Sequence, residues 1–264
     1  MRVIRGLLLS IILISGITIS GVGLLLPWSA RSAASNNSGY LSEGSGKLFS
    51  YPGLASQGVG FTSTYLYNME DLPRYIFNAG GIRRNISFGY AIEHLHHPDY
   101  QETNQLLNIG YGTDRLRIGV NIRNLLLNIR GEPLESAIAW DVGLSWEQSS
   151  FSSALSWLNV SRSEINEDEL PVYMIWEINY LIVKGGEMSI RLEKEDGFEF
   201  QPTLAGGYEI SDSFTILSSY SLQPETLGCG FEIQIGRMGI SYGLQYHEEL
   251  LETHYLTIYY AKSD

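Results

Sequence analysis

The chain has 264 residues, room for one sizeable domain, a formal net charge of -12 and a single cysteine. The acidic balance argues against nucleic-acid binding, which needs clustered Lys and Arg to neutralise phosphates. One cysteine excludes an internal disulfide framework and any cysteine-built zinc cluster, and 17% charged residues with 17 tyrosines suit a membrane interface better than a water-soluble surface.

Arg2 and Arg5 begin a secretory leader, followed by an apolar run from Gly6 to Trp28. A small-residue stretch comes next, in which Ser32-Ala33-Ala34 best fits the A-x-A-like cleavage rule, so residues 1–34 are read as a signal peptide. Their loss, with Arg2, Arg5 and Arg31, takes the net charge from -12 to about -15. The apolar run exceeds the usual ~7–15 residues of a leader core, and an uncleaved anchor is the alternative. Residues 35–57 form a short periplasmic or lumenal lead-in, polar and rich in Ser, Asn and Gly from Ser35 to Lys47, and residues 58–264 form the barrel. So short a lead-in leaves little chain for a full amino-terminal plug.

From Val59 to Tyr260 the sequence alternates with a two-residue period. Ile138, Trp140, Val142, Leu144 and Trp146 interleave with Ala139, Asp141, Gly143 and Ser145, while Leu227, Cys229, Phe231, Ile233 and Ile235 interleave with Gly228, Gly230, Glu232 and Gln234. Successive side chains of a strand point to opposite faces, so each run is a strand with one apolar face and one polar, glycine-rich face. Fourteen strands are expected, centred near residues 62, 78, 89, 108, 120, 142, 156, 178, 190, 205, 217, 231, 243 and 257. Short turns fall near Arg84, Thr113, Ser149, Gly185, Asp212 and Arg237. Mostly longer connections lie between them, at 68–74, 94–103, 130–136, 162–171, 194–197, 223–226 and 248–252. Short turns on one side, longer loops on the other and an even strand count are the signature of an all-β, antiparallel up-and-down barrel of an outer membrane, with both termini on the periplasmic side. The alternative is a soluble β-sandwich or barrel with its apolar face inward. Gly89, Gly110, Gly119, Gly143, Gly228, Gly230 and Gly243 on the polar face disfavour it, since glycine weakens a solvent-facing strand whereas a crowded lumen uses small residues.

Charged and polar side chains recur on the inward face. Arg115, Arg117, Asn121 and Arg123 form a basic stripe, and Glu93, Asp141, Glu147, Glu177, Glu193, Glu209 and Glu232 supply acids on other strands. They either form a selectivity ring or headgroup site or pair with one another and fill a narrow barrel. His94, His96, His97 and Asp99 cluster in an expected outer loop that carries a proline and only local ligands, so a solvated loop is expected and no metal site. His247 and His254 flank the last hairpin and could face each other across it. Ser241 and His247 share a strand face but lie roughly 20 Å apart, and no G-x-S-x-G or H-E-x-x-H motif occurs, so no catalytic residues and no enzyme activity are expected.

Two motifs carry a family resemblance. Tyr51-Pro52-Gly53-Leu54-Ala55, before the first strand, is similar to the Asn-Pro-Ala-Gly-Leu-Ala of the FadL-like outer-membrane transporter superfamily. Tyr246-His247-Glu248-Glu249-Leu250, followed by Thr253-His254, resembles the Tyr-His-Pro-Glu-Leu-Gly-x-Thr-His ending of its PorV/PorQ-type members, which are associated with type IX secretion. Glu248 and Leu251 replace the usual Pro and Gly, and the chain ends Ala261-Lys262-Ser263-Asp264, not on an aromatic residue. The resemblance implies a fourteen-stranded barrel in the outer membrane of a diderm bacterium, without a cofactor. Its surroundings would be outer-membrane lipid, and its partners secretion-system components or exported proteins. The wider superfamily implies passage of hydrophobic or small solutes instead, and a structural or adhesive surface barrel is the third reading.

Overall fold

The computed structural model describes residues 26–42, 44–54, 57–113, 115–166, 168–248 and 251–261. Its wall begins with β1 (Gly58–Tyr65), β2 (Pro73–Arg83), β3 (Ile86–His97), β4 (Tyr100–Gly112), β5 (Leu116–Ile129), β6 (Glu135–Gln148) and β7 (Phe151–Leu158). A small hairpin, β8 (Glu164–Ile165) with β9 (Asp168–Glu169), stands in the loop that follows. The wall resumes with β10 (Tyr173–Val183), β11 (Gly186–Glu195), β12 (Gln201–Ser211), β13 (Phe214–Leu222), β14 (Glu225–Ile235), β15 (Met238–His247) and β16 (Leu251–Tyr260). These fourteen wall strands pair antiparallel with their sequence neighbours, and β1 pairs with β16 to close the barrel. Each expected strand centre falls inside one of them. Closure leaves no sheet edge with unpaired N–H and C=O groups, the condition for crossing a bilayer with strands.

The apolar face points outward. Ile109, Ile118, Ile138, Trp140, Leu204 and Leu227 all stand exposed on the wall, which removes the soluble reading with its inward apolar core. Outward aromatics gather toward both rims: Tyr111, Trp146, Tyr180, Tyr208 and Tyr260 near the short turns, and Tyr65, Trp176, Tyr220 and Tyr246 near the loops. Such belts suit the two levels of a membrane interface. Gly185 and Gly236, with φ of +79° and +61°, supply the left-handed backbone that tight hairpin turns require. Gly58 and Tyr260 lie at the short-turn end, so both ends of the barrel domain are on the same side.

Two expectations need correction. The 94–103 segment is not a long loop: β3 runs through His97, β4 starts at Tyr100, and Pro98-Asp99 alone turns the chain. Its outward face turns polar at His94, His96, Gln101, Thr103 and Gln105 because β3 and β4 project beyond the apolar band, and polarity without apolar alternation reads as loop. Second, the lead-in is a plug. Trp28, Ala30, Ala33, Ala34, Leu41, Leu48, Phe49, Tyr51 and Leu54 are almost completely buried inside the barrel. Residues 28–34, placed by sequence within the leader, are part of this filling. Residues 1–25, Asp114, Ala55, Glu249-Leu250 and Lys262-Ser263-Asp264 lie outside the described residues.

Candidate functional site

Described residues from Pro27 to Leu54 occupy the lumen, and many of the polar side chains that point inward hydrogen-bond to them. It starts near the loop end of β2, where Arg74 Nη1 donates to the Pro27 carbonyl at 2.5 Å. Trp28 stacks on Phe49 with ring centroids 3.2 Å apart and lies under the Arg74 guanidinium at 5.3 Å. Ser29 caps α1 (Ala30–Ala34), its hydroxyl accepting from the Ser32 amide at 3.1 Å. A helix this short has no stability of its own, and the wall holds it. Ala30 N donates to Thr257 Oγ1 at 2.8 Å, Ser219 Oγ donates to the Ala34 carbonyl at 2.8 Å, and Arg31 pairs with Glu232 at 3.0 Å.

The remainder is held in the same way. Gln245 Nε2 donates to Asn36 Oδ1 at 2.8 Å. Glu177 collects four donors: Ser38 Oγ at 2.5 Å, Gly39 N at 2.8 Å, Tyr40 N at 3.4 Å and Ser189 Oγ at 2.6 Å. Asn121 donates to the Leu48 carbonyl at 2.8 Å, Asn108 to that of Pro52 at 3.1 Å and Ser145 to that of Gly53 at 2.9 Å. Arg191 Nε donates to Tyr51 Oη at 3.1 Å. The plug backbone is irregular, and buried N–H and C=O groups must find partners; the inward Asn, Ser, Thr and Glu side chains supply them.

The candidate residues therefore divide. Asn121, Glu177 and Glu232 bind the plug directly. Arg123 and Asp141 pair at 2.5 Å with almost no solvent exposure, and Asp141 also accepts from Asn121 Nδ2 at 3.2 Å and the Asn159 amide at 2.9 Å. Arg117 is half-buried toward the short-turn end with Nη1 enclosed and unpartnered among the described residues, while Glu147 is exposed near the same rim. Pro52 and Gly53 press against Gly119 and Gly143, and Leu54 joins an apolar lumen cluster with Leu125, Leu158 and Ile175. Tyr246 faces outward, and so does His254, whose Nδ1 is 2.6 Å from Tyr242 Oη. His247 and His254 do not oppose each other, since His247 pairs with Leu251 and His254 with Leu244, which puts the two rings on opposite faces. Arg74, Asn108, Ser145, Ser189, Arg191, Ser219 and Thr257 were not singled out by sequence, because an inward Ser or Asn looks the same whether it meets water or a plug.

The inward glycines now have a cause. A Cβ on Gly119 would overlap the Pro52 carbonyl, one on Gly243 the Ala30 carbonyl, and one on Gly228 would lie 2.6 Å from the Ala34 carbonyl. Gly243→Val is therefore expected to expel α1 while leaving the wall ladder paired. Limited proteolysis of folded protein should cut the amino-terminal segment in the variant and spare it in the parent. Equal protection in both proteins would show that the plug tolerates the bulk.

On the outer wall, β11 to β15 carry a hollow of about 960 Å³. Its floor is a row of short outward residues in register, Gly206, Ser218 and Cys229, flanked by Leu204, Tyr208, Ile216, Tyr220, Leu227 and Tyr246. The hydrogen-bond ladder beneath is unbroken, so the hollow is a recess and not a hole. On the lumen side of the same strands lie Ala34, Leu41, Ala205 and Leu217, packed together.

No protein-family model matches the chain, and no curated protein sequence does. Among solved structures, a deletion mutant of TodX, described as a monoaromatic hydrocarbon channel, is similar over 90% of this chain and 99% of its own, at 10% identity and a TM-score of 0.60. A mutant porin of Rh. blastica (11% identity, TM-score 0.46) covers 78% of this chain and 98% of that one. The KdgM porin (8% identity, TM-score 0.44) covers 78% and 99%. At such identities the likeness is one of fold, and it is with the TodX mutant that this chain shares its fold.

Proposed function

We propose that this chain is an outer-membrane channel of a diderm bacterium for small apolar solutes, held shut by its own amino-terminal segment. The observation that carries this reading is the apolar recess over β11 to β15, backed through a thin wall by the plug. An apolar solute partitions into lipid and is poorly served by a wide aqueous pore, so a binding recess in the membrane-facing wall suits it better than a charged ring. The fold likeness to a protein described as a monoaromatic hydrocarbon channel supports the same choice, as does the resemblance to FadL-like transporters. No enzyme activity and no cofactor belong to this reading.

A test fills the recess. Cys229→Trp combined with Ser218→Trp should lower uptake of a monoaromatic hydrocarbon into cells by on the order of fivefold, since bulk added on the outward face removes the cavity without touching the lumen. The variant's outer-membrane recovery and its gel mobility shift on heating should match the parent's. Uptake unchanged by the double substitution, or absent in the parent, would sink the solute-channel reading. The second reading, a PorV/PorQ-like secretion barrel, rests on the two motifs. It requires co-purification of secretion components with the detergent-solubilised barrel, lost on alteration of the outer loops.

A further inference from the structure

We infer that the leader is cut between Gly23 and Leu24, upstream of the plug, and that Trp28 to Ala34 belong to the mature protein. This rests on the reading of the chain as an exported outer-membrane barrel. A cut after Ala34 would discard a set of contacts the wall is shaped to make: the Trp28–Phe49 stack, the Arg31–Glu232 pair, and the seat of α1 against Gly228, Gly230 and Gly243. It would also strip Glu232, only 3% exposed, of its Arg31 partner and the Thr257 hydroxyl of the Ala30 amide. Gly228, Gly230 and Gly243, on two adjacent strands, each leave room that Ala30, Ala33 or Ala34 occupies.

Retention of the leader conflicts with topology. Pro27 sits at the loop end of the lumen, bound by Arg74 one residue into β2, while both ends of the barrel domain lie at the short-turn end. A leader still anchored in the inner membrane would have to return to the periplasm through a lumen already filled by residues 28–54. A terminus close to Pro27 has no such requirement.

The sequence upstream contains a suitable bond. Gly21-Val22-Gly23 places small residues at the first and third positions before Leu24, as A-x-A-like sites do, and it leaves an apolar core from Leu7 to Ser20, within the usual ~7–15 residues. The excess length of the apolar run is then explained, because Leu24-Leu25-Leu26 belong to the mature chain and not to the leader. In the cut, water adds across the Gly23–Leu24 peptide bond, leaving a carboxylate on Gly23 and an ammonium on Leu24.

The test is amino-terminal sequencing and intact mass of the full chain, expressed in a diderm host and recovered from outer membranes. A terminus reading Leu24-Leu25-Leu26-Pro27 is expected, and Gly23→Leu should accumulate as uncut precursor in the inner-membrane fraction. A terminus at Ser35, a retained Met1, or normal processing of Gly23→Leu would overturn the inference. Recovery of the parent in the soluble periplasm would instead overturn the outer-membrane reading beneath it, so the two failures are distinguishable.

Discussion

A variant lacking residues 28–54, exported on the leader of another outer-membrane barrel, is expected to conduct ions where the full protein is nearly silent. Eight strands enclose an interior that side chains can fill, whereas 16–18 leave an aqueous channel. Fourteen strands approach the second case, and this lumen is closed because a separate stretch of chain fills it. The inward face exposed by the deletion carries Asn108, Asn121, Ser145, Glu177 and Glu232, all of which now hydrogen-bond to the plug and would then meet water. In planar bilayers the current should rise by on the order of tenfold or more, since a wetted polar lumen replaces a dry, packed one. The variant must also keep its heat-dependent gel shift, which reports a closed wall. A silent lumen in a variant with a normal shift would mean that wall side chains, not the plug, close the barrel.

Asp141→Ala is expected to have the largest effect on stability of any single substitution in the lumen. Asp141 and Arg123 are 0% and 1% exposed as side chains, and Asp141 also holds Asn121 and the Asn159 amide at the start of the long loop. Removing the carboxylate leaves a buried guanidinium without its counter-charge, at a cost of about 3–5 kcal/mol. The denaturant midpoint of the heat-modifiable band should fall accordingly. Arg123→Ala combined with Asp141→Ala should recover part of the loss, because the uncompensated charge is then gone. A loss below about 1 kcal/mol in the single variant, the size of an ordinary surface substitution, would show that water or another group reaches Arg123. Breaking the exposed Arg162–Glu169 and Arg162–Asp196 pairs, which tie the long loop together and to the β11–β12 connection, should by contrast change little, since solvent screens exposed ion pairs.

The number of wall strands, their centres and which face is apolar were all legible in the sequence, because strand side chains alternate with a period of two and lipid demands an unbroken apolar outer face. The short turns were legible at Gly185 and Gly236, where left-handed backbone selects glycine. The ends of β3 and β4 were not. Above the membrane band His94, His96, Gln101 and Thr103 face water on the outside while Glu93 and Glu102 face the interior, so the alternation vanishes although the strand continues. The partners of the inward charges were also hidden. Arg123 and Asp141 are 18 residues apart in sequence, and nothing in either strand reveals that the barrel register sets them side by side.

The plug marks the boundary most sharply. By itself the sequence determined a membrane barrel with a small, polar lumen face, since periodicity and residue size act locally along each strand. What fills that lumen was decided only in three dimensions. The segment 27–54 has weak helical and strand preferences and takes its shape from hydrogen bonds to residues as distant as Glu232 and Thr257. Such contacts depend on closing the barrel, which brings β1 and β16 together around the segment, and no local pattern encodes that closure.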